Sequence, residues 1–593
     1  MRISGGRWGW IAAVGAWGAG CIPEPVLRPR DGGASAELSA VRDAAPEDVS
    51  PMDVVGAPDV VATEAGGLDA SATDAGEDAL DVAASDVVMD AGRCDPGFVL
   101  RGGSCVAVTA ARPMWPLSTQ TATHRRPMFR WRLGAEADGA RVEVCRDRVC
   151  ATPVASFVAS GTTAQPAEDL PPGPVFWRVW ARAGTAEALR PSATWEVYIP
   201  WRSGSVNTAQ RDTVDVNGDG YADIVVGVPE RREVRVYFGS ATGPRPAVTM
   251  TDPAIDPMAM VLARGGDANG DGRTDMIVSA SSGTWRLFYG TATGFTAITS
   301  TPIFAPSALD AGTPVGSFVG GVGDVNGDGF TDVYGMLVYS LSSSLIGLHL
   351  GSDAGPTPSA VPPATRASFS YPSAIGDLDQ DGSEDVVVIS GAAVDAGQPR
   401  SVAFRGGPDI SSWTPLGELP PTPLTSLLPT GRIDFNGDGL PDVMYRPAFA
   451  ADRVPLIYGS TGSFDPMVTT IGTLGERTSN YCVTDFNGDG YEDFVIAPPG
   501  AGEVRIHPGG QSGISTLAAF RITYQPGSSE LDLSCHGDIN GDGAGDIIGT
   551  SSTLDSHSLF FIPGGSATSQ VAPSVYFDQL RRSSPTVHLL ALP

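Results

Sequence analysis

The chain has 593 residues, enough for several domains, and it is strongly acidic, with 38 basic side chains against 67 acidic ones and a formal net charge of −29. Nucleic-acid binding calls for a basic patch, so this balance argues against a nucleic-acid partner. Lysine is absent from the sequence, which excludes a Walker-type phosphate loop and a Schiff-base lysine.

The first 20 residues have the composition of a secretory signal. Arg2 and Arg7 precede a short apolar stretch, and three small residues stand directly before Cys21. This arrangement resembles the bacterial lipoprotein box, with Cys21 as the lipidated N-terminus, although Gly18 stands where that family usually has leucine. We therefore expect a lipoprotein of the outer membrane or cell surface, held to the membrane by its lipid. Ordinary secretion and a retained membrane anchor are the alternatives.

Residues 21–92 are predicted to be a disordered acidic linker. They consist mostly of Ala, Asp, Val, Gly and Pro and contain no aromatic residue. Low hydrophobicity combined with high net charge cannot offset the entropy lost on ordering. Such a tether would hold the folded part of the chain away from the membrane surface.

Six cysteines remain if Cys21 is lipidated, an even number that suits disulfides in an oxidising compartment. The candidate pairs are Cys94–Cys105, Cys145–Cys150 and Cys482–Cys535. The first two are local, and the first of them closes a small loop over residues 93–106. The third would link neighbouring repeats, and two separate buried thiols are the alternative to that disulfide.

Residues 107–200 contain short segments of alternating apolar and polar residues, separated by Gly and Pro. The clearest segments are Phe129–Leu133, Ala140–Cys145, Val175–Ala181 and Thr194–Ile199. Several short strands in one such region predict a β-sandwich. The segments around Trp131 and Trp177 loosely resemble the core strands of a fibronectin type III domain, which implies that their aromatic side chains form a core and not a binding site.

A nine-residue motif, first found at 215–223 as Asp-Val-Asn-Gly-Asp-Gly-Tyr-Ala-Asp, occurs seven times within residues 202–580. Its copies recur about every 50 residues, a period typical of solenoids, arrays and propellers. Positions 1, 3, 5 and 9 carry side-chain oxygens and position 7 would offer its backbone carbonyl, a set of hard ligands suited to Ca²⁺. Position 6 is always glycine, because the sharp turn there requires a residue without a Cβ.

The predicted ligands of the seven loops are Asp215, Asn217, Asp219, Tyr221 and Asp223; Asp267, Asn269, Asp271, Arg273 and Asp275; Asp324, Asn326, Asp328, Phe330 and Asp332; Asp377, Asp379, Asp381, Ser383 and Asp385; Asp434, Asn436, Asp438, Leu440 and Asp442; Asp485, Asn487, Asp489, Tyr491 and Asp493; and Asp538, Asn540, Asp542, Ala544 and Asp546. The fourth loop departs from the others, with Asp379 in place of Asn and Gln380 in place of the first Gly. It nevertheless keeps every ligand position.

An EF-hand loop begins in the same way but requires a bidentate Glu at position 12. Position 12 is here Val226, Val278, Gly335, Val388, Tyr445, Ile496 and Gly549. None of these side chains can bind a cation, and the residues after position 9 have the composition of a strand. Simple polar turns would explain one copy but not seven copies with the same four oxygen positions.

Each repeat is predicted to contain four antiparallel strands: one before the loop, one directly after it, a third that ends in a glycine turn and a weaker fourth. Four strands form a propeller blade, and seven blades can close a ring. The expected fold is therefore all-β, with a seven-bladed propeller over residues 202–580. The C-terminal tail, residues 581–593, would either pair with the first blade or pack beneath the ring.

The loop, its following hydrophobic strand and a later segment such as Val234–Gly239 together resemble the FG-GAP/VCBS repeat. That family includes the calcium-bearing blades of the integrin α-subunit propeller. The resemblance implies a seven-bladed propeller with Ca²⁺ between the first two strands of each blade, up to seven ions in all. Integrins hold calcium in only some blades, and their stalk modules have no counterpart here. The resemblance to integrins is therefore limited to the repeat.

Calcium is expected to stabilise the fold, because it would remove the repulsion among carboxylates packed into one loop. The expected function is binding or adhesion at the cell surface, with a propeller face presented to a protein or glycan ligand. The alternative is an enzyme or lectin that acts on polysaccharide in the central groove. No catalytic constellation supports an enzyme, since the six histidines occur in unrelated contexts and a Gly-x-Ser-x-Gly motif is missing.

Overall fold

The computed structural model describes residues 93–228, 231–252, 262–280, 284–297, 316–340, 343–358, 372–390, 400–408, 414–418, 424–427, 432–447, 454–457, 468–471, 481–498, 502–523, 531–552, 556–565, 576–581 and 588–589. The predicted signal segment, the acidic linker and Cys21 lie outside the described residues. The described residues are all-β and contain no α-helix, so they include no helix long and apolar enough to cross a membrane.

A small hairpin begins the described chain. Strands β1 (Phe98–Arg101) and β2 (Ser104–Ala107) pair in antiparallel fashion across Gly102 and Gly103, which both have positive φ. A two-residue hairpin turn of this type requires positive φ at both positions, which glycine adopts without steric cost. A disulfide between Cys94 and Cys105 closes the segment.

Two sheets follow the hairpin, and together they are called the amino-terminal sandwich below. Their strands are β3 (Arg112–Trp115), β4 (Gln120–Ala122), β5 (Phe129–Arg132), β6 (Gly139–Cys145), β7 (Pro153–Ser160), β8 (Thr163–Ala164), β9 (Gly173–Ala183), β10 (Ala186–Glu187), β11 (Trp195–Ile199) and β12 (Ala209–Gln210). The larger sheet has the order β12-β4-β11-β9-β6-β7, with β10 paired to β9, and the smaller has the order β3-β5-β8. A disulfide joins Cys145 to Cys150.

Aromatic side chains fill the space between these two sheets. Strand β5 alternates buried Phe129 and Trp131 with exposed Arg130 and Arg132, the pattern of a strand with one face against a core. Phe129 packs against Trp177 with ring centroids 4.7 Å apart, and Trp177 meets the edge of Trp195 at 5.8 Å. These aromatic residues, as expected from the sequence, are core residues.

The larger sheet extends beyond residue 200, where the sequence pattern places the end of the sandwich. Strand β12 pairs with β4, at Ala209 with Ala122 and at Gln210 with Thr121. Ala209 and Gln210 therefore belong to the larger sheet and connect it closely to the first loop, which begins at Asp215.

Seven four-stranded antiparallel sheets make up the described part of the repeat region. Their strands are β13 (Ile224–Val228), β14 (Glu233–Tyr237), β15 (Val248–Thr251), β16 (Leu262–Gly266), β17 (Asp275–Ala280), β18 (Thr284–Thr291), β19 (Gly294–Ala297), β20 (Gly316–Gly323), β21 (Asp332–Ser340), β22 (Ser343–Leu350), β23 (Thr357–Pro358), β24 (Pro372–Gly376), β25 (Asp385–Ser390), β26 (Arg400–Phe404), β27 (Pro415–Glu418), β28 (Leu424–Leu427), β29 (Val443–Pro447), β30 (Val454–Ile457), β31 (Val468–Ile471), β32 (Tyr481–Thr484), β33 (Asp493–Ile496), β34 (Glu503–His507), β35 (Phe520–Thr523), β36 (Leu531–Gly537), β37 (Asp546–Ser552), β38 (Ser556–Ile562), β39 (Tyr576–Arg581) and β40 (His588–Leu589).

Six of the seven sheets take four consecutive strands, with the nine-residue loop between the first and the second, as predicted. The first sheet is different, because its order is β15-β14-β13-β40. Strand β40 pairs with β13 at Val226–Leu589 and Gly227–His588. The tail therefore pairs with the first sheet, which decides between the two arrangements that the sequence left open.

Neighbouring sheets share hydrophobic cores. One cluster joins the first two sheets through side chains such as Val234 and Phe288, and others join later neighbours. A further cluster joins the last sheet to the first, where Ile548 and Phe561 pack with Ile224. A disulfide between Cys482 of β32 and Cys535 of β36 links the sixth sheet to the seventh.

Candidate functional site: the seven loops

Each loop is wrapped around the carboxylate at its first position. In the first loop, Asp215 accepts hydrogen bonds through Oδ1 from the N–H of Gly218 (2.7 Å) and through Oδ2 from the N–H of Gly220 (2.8 Å). The same bond from the position-6 glycine N–H to position 1 recurs in the other six loops. The backbone N–H groups of the loop itself therefore hold the position-1 carboxylate in place.

The glycine at position 6 has positive φ in every loop, from 80° at Gly439 to 100° at Gly329. A residue with a Cβ is strained in this region, so the expectation that position 6 needs glycine is confirmed. Position 4 also has positive φ in all seven loops, including 59° at Gln380, which is a rare conformation for a residue with a side chain.

The aspartate at position 9 connects the loop to the sheet. Asp223 accepts a bond from the N–H of Val216 (2.8 Å) at the start of its loop and from the N–H of Gly239 (2.9 Å) after the third strand. Equivalent pairs of bonds hold Asp275, Asp332, Asp385, Asp493 and Asp546. The position-9 side chain is fully buried or nearly so in every loop. The glycine turn after the third strand therefore belongs to the site as well.

Side-chain oxygens converge most clearly in the fourth loop. Carboxylate oxygens of Asp377, Asp379 and Asp385 all lie within 4.8 Å of one another. Arg405 forms an ion pair with Asp379 at 2.5 Å, which compensates one of the three negative charges. Carboxylates held this close by backbone N–H groups suit a hard divalent cation such as Ca²⁺, which prefers oxygen ligands.

Electrostatics favour a cation in the other loops as well. Burial raises the pKa of the position-1 carboxyls, to about 8 at Asp324 and Asp377 and to about 7 at Asp215, although backbone N–H groups act in the opposite direction. At position 9, burial and the neighbouring carboxylates raise the pKa of Asp275 and Asp332 well above the ordinary value. A bound cation would reverse these shifts, because it favours the charged form of each carboxyl.

Among the described residues, three carboxylates come within 4.8 Å of one another only in the fourth loop, whereas five other loops show a hydrogen bond from the Asn side chain at position 3 to the Asp side chain at position 5. In the first loop, Asn217 donates to Asp219 Oδ2 at 3.0 Å, and the N–H of Tyr221 donates to Asp219 Oδ1 at 3.1 Å. The position-7 side chain of the first loop packs outside the loop, since the Tyr221 ring lies 4.6 Å from the Trp201 ring. The Tyr221 side chain therefore has a contact outside the loop, and a cation ligand from its backbone carbonyl stays a prediction.

Position 8, which sequence reasoning left without a role, links one loop to the next. The N–H of Thr274 donates to the carbonyl of Asp215 (2.7 Å), and its Oγ1 accepts from the N–H of Asp215 (2.9 Å). Thr331 makes the same pair of bonds with Asp267, and Glu492 Oε2 accepts from Asp434 N. The only signal in the sequence was the recurrence of Thr and Glu at a position that needs no metal ligand.

The sandwich lies against the surface that the seven loops form, called the loop face below. Its hydrogen bonds reach six of the seven loops, from Trp201 to Gly220 O, Arg148 to Gly270 O and Gly329 O, Trp195 to Gly327 O, Arg112 to Ser383 Oγ, Ser205 to Asp489 O, and Arg202 to Asp542 O. Most of the acceptors are backbone carbonyls of glycine and aspartate. This contact could not be predicted from the sequence, because a backbone carbonyl is common to every residue type.

A buried cluster of ion pairs lies beneath the sandwich. Arg432 binds Glu384 at 2.7 Å and Asp212 at 3.1 Å, and it donates to Thr119 Oγ1 at 3.0 Å. Arg264 approaches Asp212 at 3.4 Å. These residues come from the segment before the first loop, the second, fourth and fifth repeats and the sandwich, so all of these parts meet at one point.

A family model described as the FG-GAP-like repeat matches residues 215–278, 267–335 and 434–496. The solved structures that the chain resembles include AofleA from Arthrobotrys oligospora, at 10% identity and a TM-score of 0.34, over 64% of this chain and 96% of that one. An arginine-to-alanine mutant of AofleA matches at 9% identity with the same TM-score and the same coverage. No curated protein matches the chain.

Proposed function

Because the chain carries FG-GAP-like repeats, we propose that it is a calcium-stabilised binding protein of the bacterial cell surface. Its sandwich and repeats form one folded body, and a lipid on Cys21 anchors that body to the membrane through the acidic linker. The binding function would be adhesion to a protein or glycan ligand. The observation that carries the proposal is the set of seven loops, each with a buried carboxylate at position 9, together with the converging carboxylates of Asp377, Asp379 and Asp385 in the fourth loop.

We propose further that the seven sheets form a closed seven-bladed propeller. Contacts between the first and last repeats support closure, since the N–H of Ala222 donates to Asp538 O at 2.9 Å and the N–H of Val214 to His536 O at 3.0 Å. The shared core of the first and seventh sheets supports it as well. The ion pairs of Asp212 with both Arg264 and Arg432 fit a circular arrangement, because repeats distant in the chain then face one axis.

Calcium would stabilise this propeller through the loops. The ligands exist as a set only in the folded loop, so the free energy of calcium binding adds to the stability of the fold. We expect chelation with excess EDTA to lower the Tm strongly and calcium to restore it, measured by differential scanning calorimetry. Magnesium at equal concentration is the control, since Mg²⁺ requires a tighter octahedral site. An unchanged Tm in EDTA would overturn the calcium role.

A binding function is favoured over a catalytic one. An enzyme would need free groups in the central groove, on the side of the repeats that the sandwich covers. In a closed propeller the cluster of Arg432, Glu384 and Asp212 would occupy that position, and its charges are already paired with one another. A pull-down from bacterial and host surface extracts, with and without calcium, tests the binding function. Calcium-dependent recovery of a protein or glycan is the expected result. Hydrolysis of a polysaccharide by the purified chain would favour the enzyme instead.

The lipid anchor has a separate test. A Cys21→Ala variant expressed beside the wild type should lose incorporation of radiolabelled palmitate and leave the membrane fraction. A wild type that takes up no label would refute the anchor and favour ordinary secretion.

A further inference from the structure

We propose that a cavity between the sandwich and the fourth and fifth loops binds a single saccharide unit. This inference rests on the proposed binding function and assigns one place and one class of ligand to it. The cavity has a volume of about 220 Å³ and opens to the surface. Pockets for drug-sized ligands are larger, at roughly 300–1,000 Å³, so the cavity suits one small ring.

The cavity lies where the sandwich and the loop face separate. The hydrogen bonds of the sandwich reach the other six loops, whereas the cavity is bordered by the fifth loop at Gly439, Leu440 and Pro441. Ligand sites occur preferentially at the junction of two folded units. The sandwich forms the opposite wall with Trp115 and Arg130, so a ligand here would contact both units.

The conformation of Gln380 is a second, independent observation that supports a binding site in the cavity. It stands at position 4 of the fourth loop, where the other six loops have glycine, and it holds a φ of 59°. In three of those loops a Cβ would come too close to a neighbouring side chain, with Arg148 Nε at 2.3 Å from Gly270, the Tyr491 ring at 2.5 Å from Gly437 and the Tyr221 ring at 2.6 Å from Gly541. The fourth loop instead borders the cavity, and the exposed Gln380 side chain lines it.

A residue with a side chain is strained in the left-handed region, and such strain persists where the surrounding structure or a function maintains it. Glycine would relieve the strain and complete the repeat pattern. The presence of Gln at this strained position therefore points to a role for its side chain in the cavity, beyond the loop itself.

The lining has the chemistry of a saccharide site. Trp115 offers an aromatic ring, and the Arg130 guanidinium lies over that ring at 5.0 Å. Gln120, Gln380 and Thr163 add amide and hydroxyl groups, which can donate and accept hydrogen bonds. Sugar rings combine apolar C–H faces with hydroxyls, so they match an aromatic wall beside neutral polar groups.

Ligand-observed NMR by saturation transfer tests the site on the calcium-loaded chain. The probes are the methyl glycosides of a neutral hexose, an N-acetylhexosamine and a hexuronic acid. We expect at least one of them to bind to the wild type. Gln380→Gly and Arg130→Ala should each weaken that binding about fivefold, as expected for one lost hydrogen bond. Gln380→Gly should fold at least as well as the wild type, because glycine accepts the local φ.

Arg132→Ala is the matched control, because Arg132 is exposed on the same strand as Arg130 and does not line the cavity. It should bind as the wild type does. Two results would overturn the cavity: none of the three glycosides binds, or one binds and both Gln380→Gly and Arg130→Ala leave its affinity unchanged. Either result leaves the calcium-dependent pull-down free to succeed, so failure of the cavity and failure of the proposed function are distinguishable.

Discussion

At the scale of single residues, the loops hold acidic side chains where water cannot stabilise their charge. Asp332 is completely buried, and its two carboxylate oxygens accept hydrogen bonds from the N–H groups of Val325 and Gly351. These bonds orient the carboxylate, but burial and the neighbours Asp328 and Asp324 raise its pKa well above the ordinary value. Burial of these carboxylates without a cation therefore lowers the stability of the fold, and the size of this effect depends on pH.

This effect predicts how the calcium-free chain responds to pH. The carboxyls of Asp324, Asp377 and Asp385 have a pKa of about 8 in the fold, against 3.8 ordinarily. Between these values the folded chain holds more protons than the unfolded chain, so its stability decreases as pH rises through this window. We expect the Tm in EDTA to fall steadily from about pH 5 to about pH 8.

Saturating calcium should remove or reverse that slope, because calcium binds the deprotonated carboxyls and its affinity rises with pH. Thermal melts across this pH range, with calcium and with EDTA, make the comparison. The same slope in both series would contradict the assignment of these carboxyls to a cation site.

At the scale of secondary-structure elements, the first sheet depends on a strand from the end of the described chain. Strands β13, β14 and β15 are consecutive, but the fourth member of their sheet is β40. Without β40, the edge of β13 would carry unpaired N–H and C=O groups at Val226 and Gly227. Such an edge is a template for pairing with another chain.

Removal of residues 586–593 should therefore lower the Tm by a few degrees and promote self-association through β13. Removal of residues 591–593 alone, which leaves His588–Leu589 in place, is the matched control and should change neither property. Calorimetry and light scattering measure the two effects. Equal behaviour of the two truncations would show that the β13–β40 pairing contributes little.

The disulfide between Cys482 and Cys535 joins strands of neighbouring sheets across 53 residues. Closing a loop of this length restricts the unfolded chain and is worth about 4 kcal/mol by the chain-entropy relation. A Cys482→Ala/Cys535→Ala variant should lose up to this amount of stability in urea unfolding. The Cys145→Ala/Cys150→Ala variant, whose disulfide spans 5 residues, should lose about 2 kcal/mol by the same relation. A larger loss from the shorter disulfide would contradict this ordering.

At the scale of the whole molecule, the sandwich and the loop face act as one body. Arg148 is central to their contact, since it donates to Gly270 O at 3.1 Å and Gly329 O at 2.7 Å and lies 3.9 Å from the Phe330 ring centroid. Its third bond, to Thr194 O at 2.8 Å, keeps the side chain tied to its own sandwich. One residue thereby connects the sandwich to the second and third loops.

Arg148→Ala should consequently weaken the contact by about 2 kcal/mol, because several hydrogen bonds to a charged group are lost at once. Limited proteolysis should then cut the segment 200–213 faster than in the wild type, and the Tm should fall. Arg190→Ala, at an exposed position of the sandwich, serves as the control. Unchanged proteolysis of Arg148→Ala would show that other contacts suffice.

The local part of this architecture could be predicted from the sequence, and the long-range part could not. The loops and their following strands are visible because Asp223 and Gly220 act within a few residues of their partners. The sandwich contact and the pairing of β40 are made largely through backbone groups, and the cluster around Arg432 joins side chains from different repeats, so neither leaves a local pattern in the sequence. In the sequence, Gln380 is only a departure from the repeat pattern. The structure shows that its side chain lines a cavity.

The pairing of β40 with β13 also sets an order of assembly during synthesis. The ribosome makes the sandwich before the repeats, and β40 follows β13 by about 360 residues, so tens of seconds separate these two strands at ordinary elongation rates. Throughout this interval the first sheet has an open edge, while the sandwich is already available as a base for each new loop. The loops can therefore assemble against the sandwich in chain order, and the first sheet is completed only after the strands of the seventh sheet have been made.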